Sequence, residues 1–245
     1  MIDRFFDVAD FTYAHRGLWD ASTPENSIAA LRAAAAAGIG AELDVRLSFD
    51  GRPLVFHDAS LQRMCNHRER IERIAVADLP RWPLPDGSTI PTLEAVLDVM
   101  AGLPVLIEIK VDGVAEEIAD RVAEIIADRD GPMAVMSFDE PTVARLCRLV
   151  SDRPIGLLCI GDNQVEEDLI AKAATARALG CDYIAPHHSV LGPVASASGG
   201  LPLVTWTIRT QDELQLARDY SAAPIFEGFP ASQLAALALS PRTPI

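Results

Sequence analysis

Short apolar runs alternate with stretches of helical periodicity almost without interruption along this chain, and that alternation narrows the possible folds more than any other feature. Strands are predicted near 11–15, 41–45, 104–109, 133–137, 154–159, 182–186, 202–207 and 223–227. Helices are predicted near 25–37, 92–101, 114–128, 140–150, 164–179, 211–220 and 230–239, with a short one near 190–197. Such alternation is the mark of parallel βα units, because parallel neighbours need a crossover of about a dozen or more residues. Eight strands predict a closed (β/α)₈ TIM barrel, an α/β fold whose functional residues stand at the C-terminal ends of the strands. The Ala-rich stretch 33–37, ended by Gly38, reads as a closely packed helix. At 245 residues and 49% hydrophobic, the chain can bury one full core and does not require two domains.

One apolar segment is not a ninth barrel strand. "PLVFHD", residues 53–58, follows "ELDVRL" after only "SFDGR", too short a link for a parallel neighbour. A hairpin fits instead, with Asp50-Gly51 as its tight turn. Pairing symmetrically about that dipeptide sets residue 44 opposite residue 57, so that His57 returns beside Asp44 at the barrel mouth. Residues 59–91 hold Pro80, Pro83, Pro85 and the polar "NHRERIER". They are too irregular for a barrel element and read as a small insertion capping the mouth. The tail "SPRTPI" reads as frayed.

In "AELDV", Glu42 and Asp44 are two apart, so on a strand both point to one face while Leu43 points to the other. "LIEIK" repeats the device with Glu108 and Lys110. Either pair alone fits a strand end emerging into solvent. Two pairs on separate, near-continuous apolar strands point to a functional cluster, because buried charges are paired or bind metal. Three carboxylates converging with no cysteine nearby suit a hard cation, Mg²⁺ or Ca²⁺, better than zinc. Arg16 and Lys110 belong at the same mouth, and fixed cations beside a metal are what holds a phosphate and neutralises charge developing on its oxygens. His15, in "AHRGLW", and His57 complete the set. Phosphodiester cleavage needs one group to take a proton from the nucleophile and another to protonate the leaving alkoxide. His187 and His188 follow "YIAP" at a further strand end, as rim residues or substrate contacts. Trp206, ending "LVTW", reads as core or as an apolar wall for the substrate, and His67, among the charges of the insertion, as solvated.

A formal net charge of -14 argues against nucleic acid or an anionic membrane surface as the main partner, so any anion bound needs a local cationic site. The first residues, "MIDRFFDVAD", carry Asp3, Asp7 and Asp10 and read neither as a signal peptide nor as a membrane anchor. No other stretch approaches a spanning length of apolar residues. Cys65, Cys147, Cys159 and Cys181 form no C-x-x-C pair, so reduced thiols and a cytoplasmic location are expected.

With these residues laid out, the chain resembles the glycerophosphodiester phosphodiesterase family over nearly its whole length. The matching segments are "AHRG", "PENSIAAL", "GIGAELDVRLSFDGRPLVFHD", "IPTLEAVL", "LIEIK", "SF" at 137–138 and "TWTI" at 205–208, in that order. The resemblance implies a single phosphodiesterase barrel domain over 1–245, a divalent metal, and hydrolysis of a small glycerophosphodiester to glycerol 3-phosphate and an alcohol. By position it implies His15 and His57 as the acid–base pair, Glu42, Asp44 and Glu108 as metal ligands, Arg16 as the phosphate-binding arginine and Lys110 as the lysine of "EIK". Glu25 and Asn26 fall in the "PENS" motif, where Asn26 orders the first βα loop, or the Asn or Ser of the motif caps the following helix; capping is the simpler expectation. Two late departures stand out. The family has an asparagine after its "WTV" and an aspartate near the end of the last strand, where this chain has Arg209 and "FEGFP". Arg209 and Glu227 are expected to meet as an ion pair, either walling the headgroup pocket or lying exposed on the rim. Cleavage of lysophospholipids, or formation of a cyclic phosphate, uses the same residue types. A silent barrel that binds phosphorylated metabolites is the alternative outside enzymes. The short insertion favours small, water-soluble headgroups.

Overall fold

All eight predicted barrel strands form, each within two residues of its expected bounds. The computed structural model describes residues 6–111, 115–160, 166–229 and 233. In chain order the elements are β1 (Tyr13–His15), α1 (Ile28–Ala36), β2 (Gly40–Leu47), β3 (Pro53–Val55), α2 (Gln62–Cys65), α3 (Leu93–Val99), β4 (Val105–Ile109), α4 (Ala115–Ala127) and β5 (Met133–Ser137). They continue with α5 (Glu140–Leu149), β6 (Ile155–Cys159), α6 (Glu166–Leu179), β7 (Tyr183–Pro186), α7 (Leu191–Ala197), β8 (Val204–Ile208), α8 (Gln211–Asp219) and β9 (Ala223–Phe226). The helix expected near 230–239 lies outside the described residues, apart from position 233.

The barrel strands run parallel in the order β7-β6-β5-β4-β2-β1-β9-β8, and the bridges Ile184↔Leu203 and His187↔Trp206 bring β7 back to β8. The result is a nearly closed (β/α)₈ barrel. Its strands are buried on both faces, as parallel strands sheathed in helices must be. Leu43, Val45, Ile107 and Val135 pack outward with the helices, while Leu106, Met136, Leu158 and Tyr183 fill the barrel interior. Tyr183 sets a local rule. A Cβ on Gly156 of the neighbouring strand would lie 2.3 Å from its ring, so only glycine fits beside it.

The hairpin forms too, with a register one residue from expectation. Leu47 pairs with Pro53 and Val45 with Val55, so Asp44 receives the Phe56 N–H at 2.9 Å and not that of His57. Pairing is symmetric about Asp50 because Ser48 and Arg52 close a three-residue loop with Gly51 at φ +71°, in place of a two-residue Asp-Gly turn. Beyond β3, residues 59–91 build a small satellite with its own core of Leu54, Phe56, Leu61, Ile71, Leu79 and Ile90. His67 corrects the solvated reading. Its ring lies 4.8 Å from that of Trp82 and is half-buried.

Candidate active site

Strand register assembles the acidic cluster. β2 and β4 pair Asp44 with Glu108 and Glu42 with Leu106, and β1 pairs His15 with Glu42. In-register neighbours on parallel strands share a face, so these side chains all enter the barrel mouth. Glu42, Asp44 and Glu108 are buried, and one oxygen of each lies within 4.8 Å of the others. Three such carboxylates cannot all hold their charge cheaply. Burial, then the charges of Asp44 and Glu108, pushes Glu42 well above the carboxylate range. Burial likewise lifts Glu108 to about 7, although Lys110 opposes it. Asp44 goes the other way: burial would raise it, but Lys110, then Arg16, holds it well below the ordinary carboxylate range.

The cations that do this are placed by hydrogen bonds and ion pairs. Lys110 Nζ lies 3.1 Å from Asp44 Oδ1 and also contacts Glu108. Arg16 Nε lies 3.1 Å from Asp44 Oδ2, and its Nη1 donates to Glu25 Oε1 at 2.8 Å. The loop after β1 bends sharply to achieve this, with Arg16 at φ +60° and Gly17 at φ +83°. A Cβ on Gly17 would lie 2.7 Å from the Ala30 carbonyl carbon, which explains the glycine in "AHRG".

The capping expectation holds through Ser27, while Asn26 orders the loop. Ser27 is the cap of α1, and Asn26, at φ +56°, donates from Nδ2 to Asp44 Oδ2 at 2.9 Å while its Oδ1 accepts the Asp44 N–H. It orients a carboxylate of the cluster from the far side of the first βα loop.

Both candidate histidines reach the mouth with Nδ1 tied to a carboxylate. His15 Nδ1 lies 2.5 Å from Glu227 Oε2, and its Nε2 lies 3.9 Å from Glu42 Oε2. His57 Nδ1 lies 2.7 Å from Asp58 Oδ1. Arg46 donates to the His57 carbonyl at 2.6 Å, which anchors the chain where it leaves the hairpin. Burial lowers the His57 pKa below that of a free imidazole, against the pull of Asp44. Asp58 is gripped by Arg63 Nε at 2.7 Å and Nη2 at 3.0 Å, and the same guanidinium reaches Glu25 at 2.6 and 2.9 Å. Neither Arg63 nor Asp58 was singled out from the sequence. The pair "HD" at 57–58 was the available signal for the second.

The remaining candidates lie at the ends of β7 and β8. Trp206 donates from Nε1 to the Ala185 carbonyl at 2.9 Å and meets His187 and Phe138 edge to face at 5.0 and 5.5 Å. Phe138 in turn lies beneath Lys110, 6.0 Å from Nζ to the ring centre, and is a wall residue the sequence did not single out. His187 hydrogen-bonds Ser189 and caps the turn that follows β7. His188 faces Glu213 of α8 at 3.5 Å, on the helix side of the strand end. Arg209 and Glu227 do meet: Nε and Nη2 lie 2.7 and 2.6 Å from Glu227 Oε1.

The residues fit a divalent cation. Three buried carboxylates offer hard oxygen donors in one place, and Glu42 Oε1 is buried without a hydrogen-bond partner. Among the described residues no helix is long and apolar enough to cross a membrane.

Known proteins share this fold and sequence pattern. The model of the glycerophosphoryl diester phosphodiesterase family matches residues 15–232. A probable glycerophosphodiester phosphodiesterase 2 of Mycobacterium tuberculosis is 28% identical over 193 residues, covering 78% of this chain and 71% of its own. The glycerophosphodiester phosphodiesterase of Bacillus altitudinis is 29% identical over 182 residues, covering 67% and 72%. Among solved structures, an Oleispira antarctica phosphodiesterase in complex with the product sn-glycerol-3-phosphate superposes with a TM-score of 0.79 at 24% identity, over 93% of this chain and 96% of that one. The glycerophosphodiester phosphodiesterase of Thermotoga maritima gives 0.73 at 25% identity, over 89% and 93%. The chain therefore belongs to the glycerophosphoryl diester phosphodiesterase family and is an enzyme of that hydrolase class.

Proposed function

We propose that the protein hydrolyses small, water-soluble glycerophosphodiesters to sn-glycerol 3-phosphate and an alcohol. The observation that carries this reading is one barrel mouth holding three buried carboxylates within 4.8 Å, two cations on those carboxylates and two histidines tied through Nδ1. Glu42, Asp44 and Glu108 would hold Mg²⁺ or Ca²⁺, which when bound polarises a phosphoryl oxygen. Arg16 and Lys110 supply the fixed positive charge that draws a phosphodiester into a chain whose net charge is -14. His15 and His57 exchange the protons at Nε2, one taking a proton from the nucleophile and the other giving one to the leaving alkoxide. Trp206, with Phe138 and His187, walls the substrate. The whole chain acts as one catalytic unit, with residues 59–91 bordering the mouth through Arg63. Free cysteines throughout support a cytoplasmic location.

Incubation with glycerophosphocholine and divalent cation should release choline and glycerol 3-phosphate, and chelation should abolish release until metal is restored. Undiminished turnover by demonstrably metal-free protein would overturn the carboxylate assignment. A cyclic phosphate or no product would overturn the reaction itself.

A further inference from the structure

We propose that Glu227 is the positioning residue of His15, fixing its tautomer and ring plane, and that Arg209 holds Glu227 to that task. The inference rests on the reading of His15 as a proton-transfer group and assigns a use to the two residues that depart from the family pattern.

The backbone makes the meeting obligatory. β1 and β9 pair Ala14 with Phe226, and the Glu227 N–H continues the ladder to the Ile208 carbonyl at 3.1 Å. His15 and Glu227 are the next residues on those two strands, so their side chains emerge as neighbours at the mouth. Glu227 then divides its oxygens. Oε2 takes His15 Nδ1 at 2.5 Å, and Oε1 takes Arg209 Nε and Nη2 at 2.7 and 2.6 Å. An ionised carboxylate only accepts, so the shared hydrogen belongs to Nδ1 and the neutral ring is left with a bare Nε2. That nitrogen is the one 3.9 Å from Glu42 Oε2, on the side of the acidic cluster. Burial alone would push Glu227 upward, but the hydrogen bond from His15 and then the charge of Arg209 hold it below the ordinary carboxylate range, ionised near neutral pH. The His15 and Glu227 side chains are only 13% and 14% exposed, so little water competes for the contact.

The same construction stands independently on the other side of the mouth. His57 Nδ1 meets Asp58, and Asp58 meets the guanidinium of Arg63, from a different part of the chain. Each of the two histidines is thus backed by a carboxylate that is itself backed by an arginine. A headgroup wall would need Arg209 to turn its charge toward substrate. Its Nε and one Nη are instead spent on Glu227.

The two roles separate by experiment on the full chain, using Glu227→Gln, Glu227→Asp and Arg209→Ala. Long-range ¹H–¹⁵N spectra of metal-free, substrate-free protein read the His15 tautomer directly, whatever the enzyme turns over. Wild type should show hydrogen on Nδ1, and Glu227→Gln should lose that preference, because an amide can donate as well as accept. On glycerophosphocholine and on an anionic glycerophosphodiester alike, Glu227→Gln should lower kcat about 10–100-fold with KM changed less than about twofold. Glu227→Asp should recover part of the loss, and Arg209→Ala should lower kcat in the same sense by less. An unchanged His15 signal, or a kcat in Glu227→Gln equal to wild type, would overturn the proposal. So would an Arg209→Ala effect confined to the KM ratio of the two headgroups, the signature of a wall. If wild type turns over neither substrate yet the His15 signal moves in Glu227→Gln, positioning stands and the phosphodiesterase reading falls.

Discussion

His57 gives the sharpest test at the scale of single residues, because the proposed reaction assigns its ring a proton transfer. Its Nδ1 is committed to Asp58 and its carbonyl to Arg46, and the proposed proton transfer uses its Nε2. Replacing it with alanine removes no core packing, since the side chain is about a third exposed. His57→Ala should therefore lower kcat by about 10²–10⁴ while the unfolding midpoint stays close to wild type. A substrate with a p-nitrophenolate leaving group assigns the role. That leaving group needs no protonation, so recovery of part of the loss marks His57 as the acid, and equal loss on good and poor leaving groups marks it as the base and His15 as the acid. A kcat equal to wild type would remove His57 from the reaction.

Elements deliver these residues, and the first βα loop does so under strain. Arg16 and Asn26 both sit at positive φ and both contact Asp44, with Gly17 between them pressed onto the backbone of α1. Gly17→Ala adds a Cβ at 2.7 Å from the Ala30 carbonyl carbon at a φ that L-residues avoid. Urea unfolding should show a loss of about 1–3 kcal/mol, and a value within about 0.5 kcal/mol of wild type would show that the loop relaxes freely. How much was legible follows from the same contrast between local and distant. Strand alternation carried the barrel, and the two-residue spacing of Glu42 with Asp44 and Glu108 with Lys110 carried the cluster, because both are properties of a strand taken by itself. The hairpin register slipped by one because Asp-Gly serves a three-residue loop as well as a two-residue turn. The arms behind the histidines were hidden for a different reason. His15 and Glu227 are 212 residues apart, Glu25 and Arg63 38 apart, and only the closed barrel makes such residues neighbours. Arg209 with Glu227 was visible as a pair across adjoining strand ends, but its contact with His15 needed the strand pairing that the sequence does not print.

For the molecule as a whole, the acidic cluster sets stability against function. A barrel of this size gains its stability from buried apolar strands; Asp44 is offset by Lys110 and Arg16, but Glu42 and Glu108, raised by their burial, work against that gain when they ionise without a metal ion. The pH dependence of the metal-free protein has a definite sign. Glu108 titrates near 4.5 when unfolded and at about 7 in the fold, so across that interval the native state binds more protons than the unfolded chain. Stability from this group is then fully present below about 4.5 and falls as pH rises through about 7, the reverse of a carboxylate held in a salt bridge. Glu42, also pushed upward, acts in the same sense. Glu108→Gln keeps the shape and the Lys110 contact while removing the charge. In metal-free protein, Tm should drop more between pH 6 and pH 8 for wild type than for Glu108→Gln, and the variant should be the more stable of the two at pH 8. Saturating divalent cation should reverse that order, because ligand at about 100 times Kd stabilises the native state by about 2.7 kcal/mol. Metal should raise the wild-type Tm by several degrees and the variant's far less, with more proton release on binding to wild type at pH 6 than at pH 8. Equal metal shifts in the two proteins, or a flat wild-type Tm across that pH range, would show that Glu108 neither holds the cation nor carries the raised titration that its burial imposes.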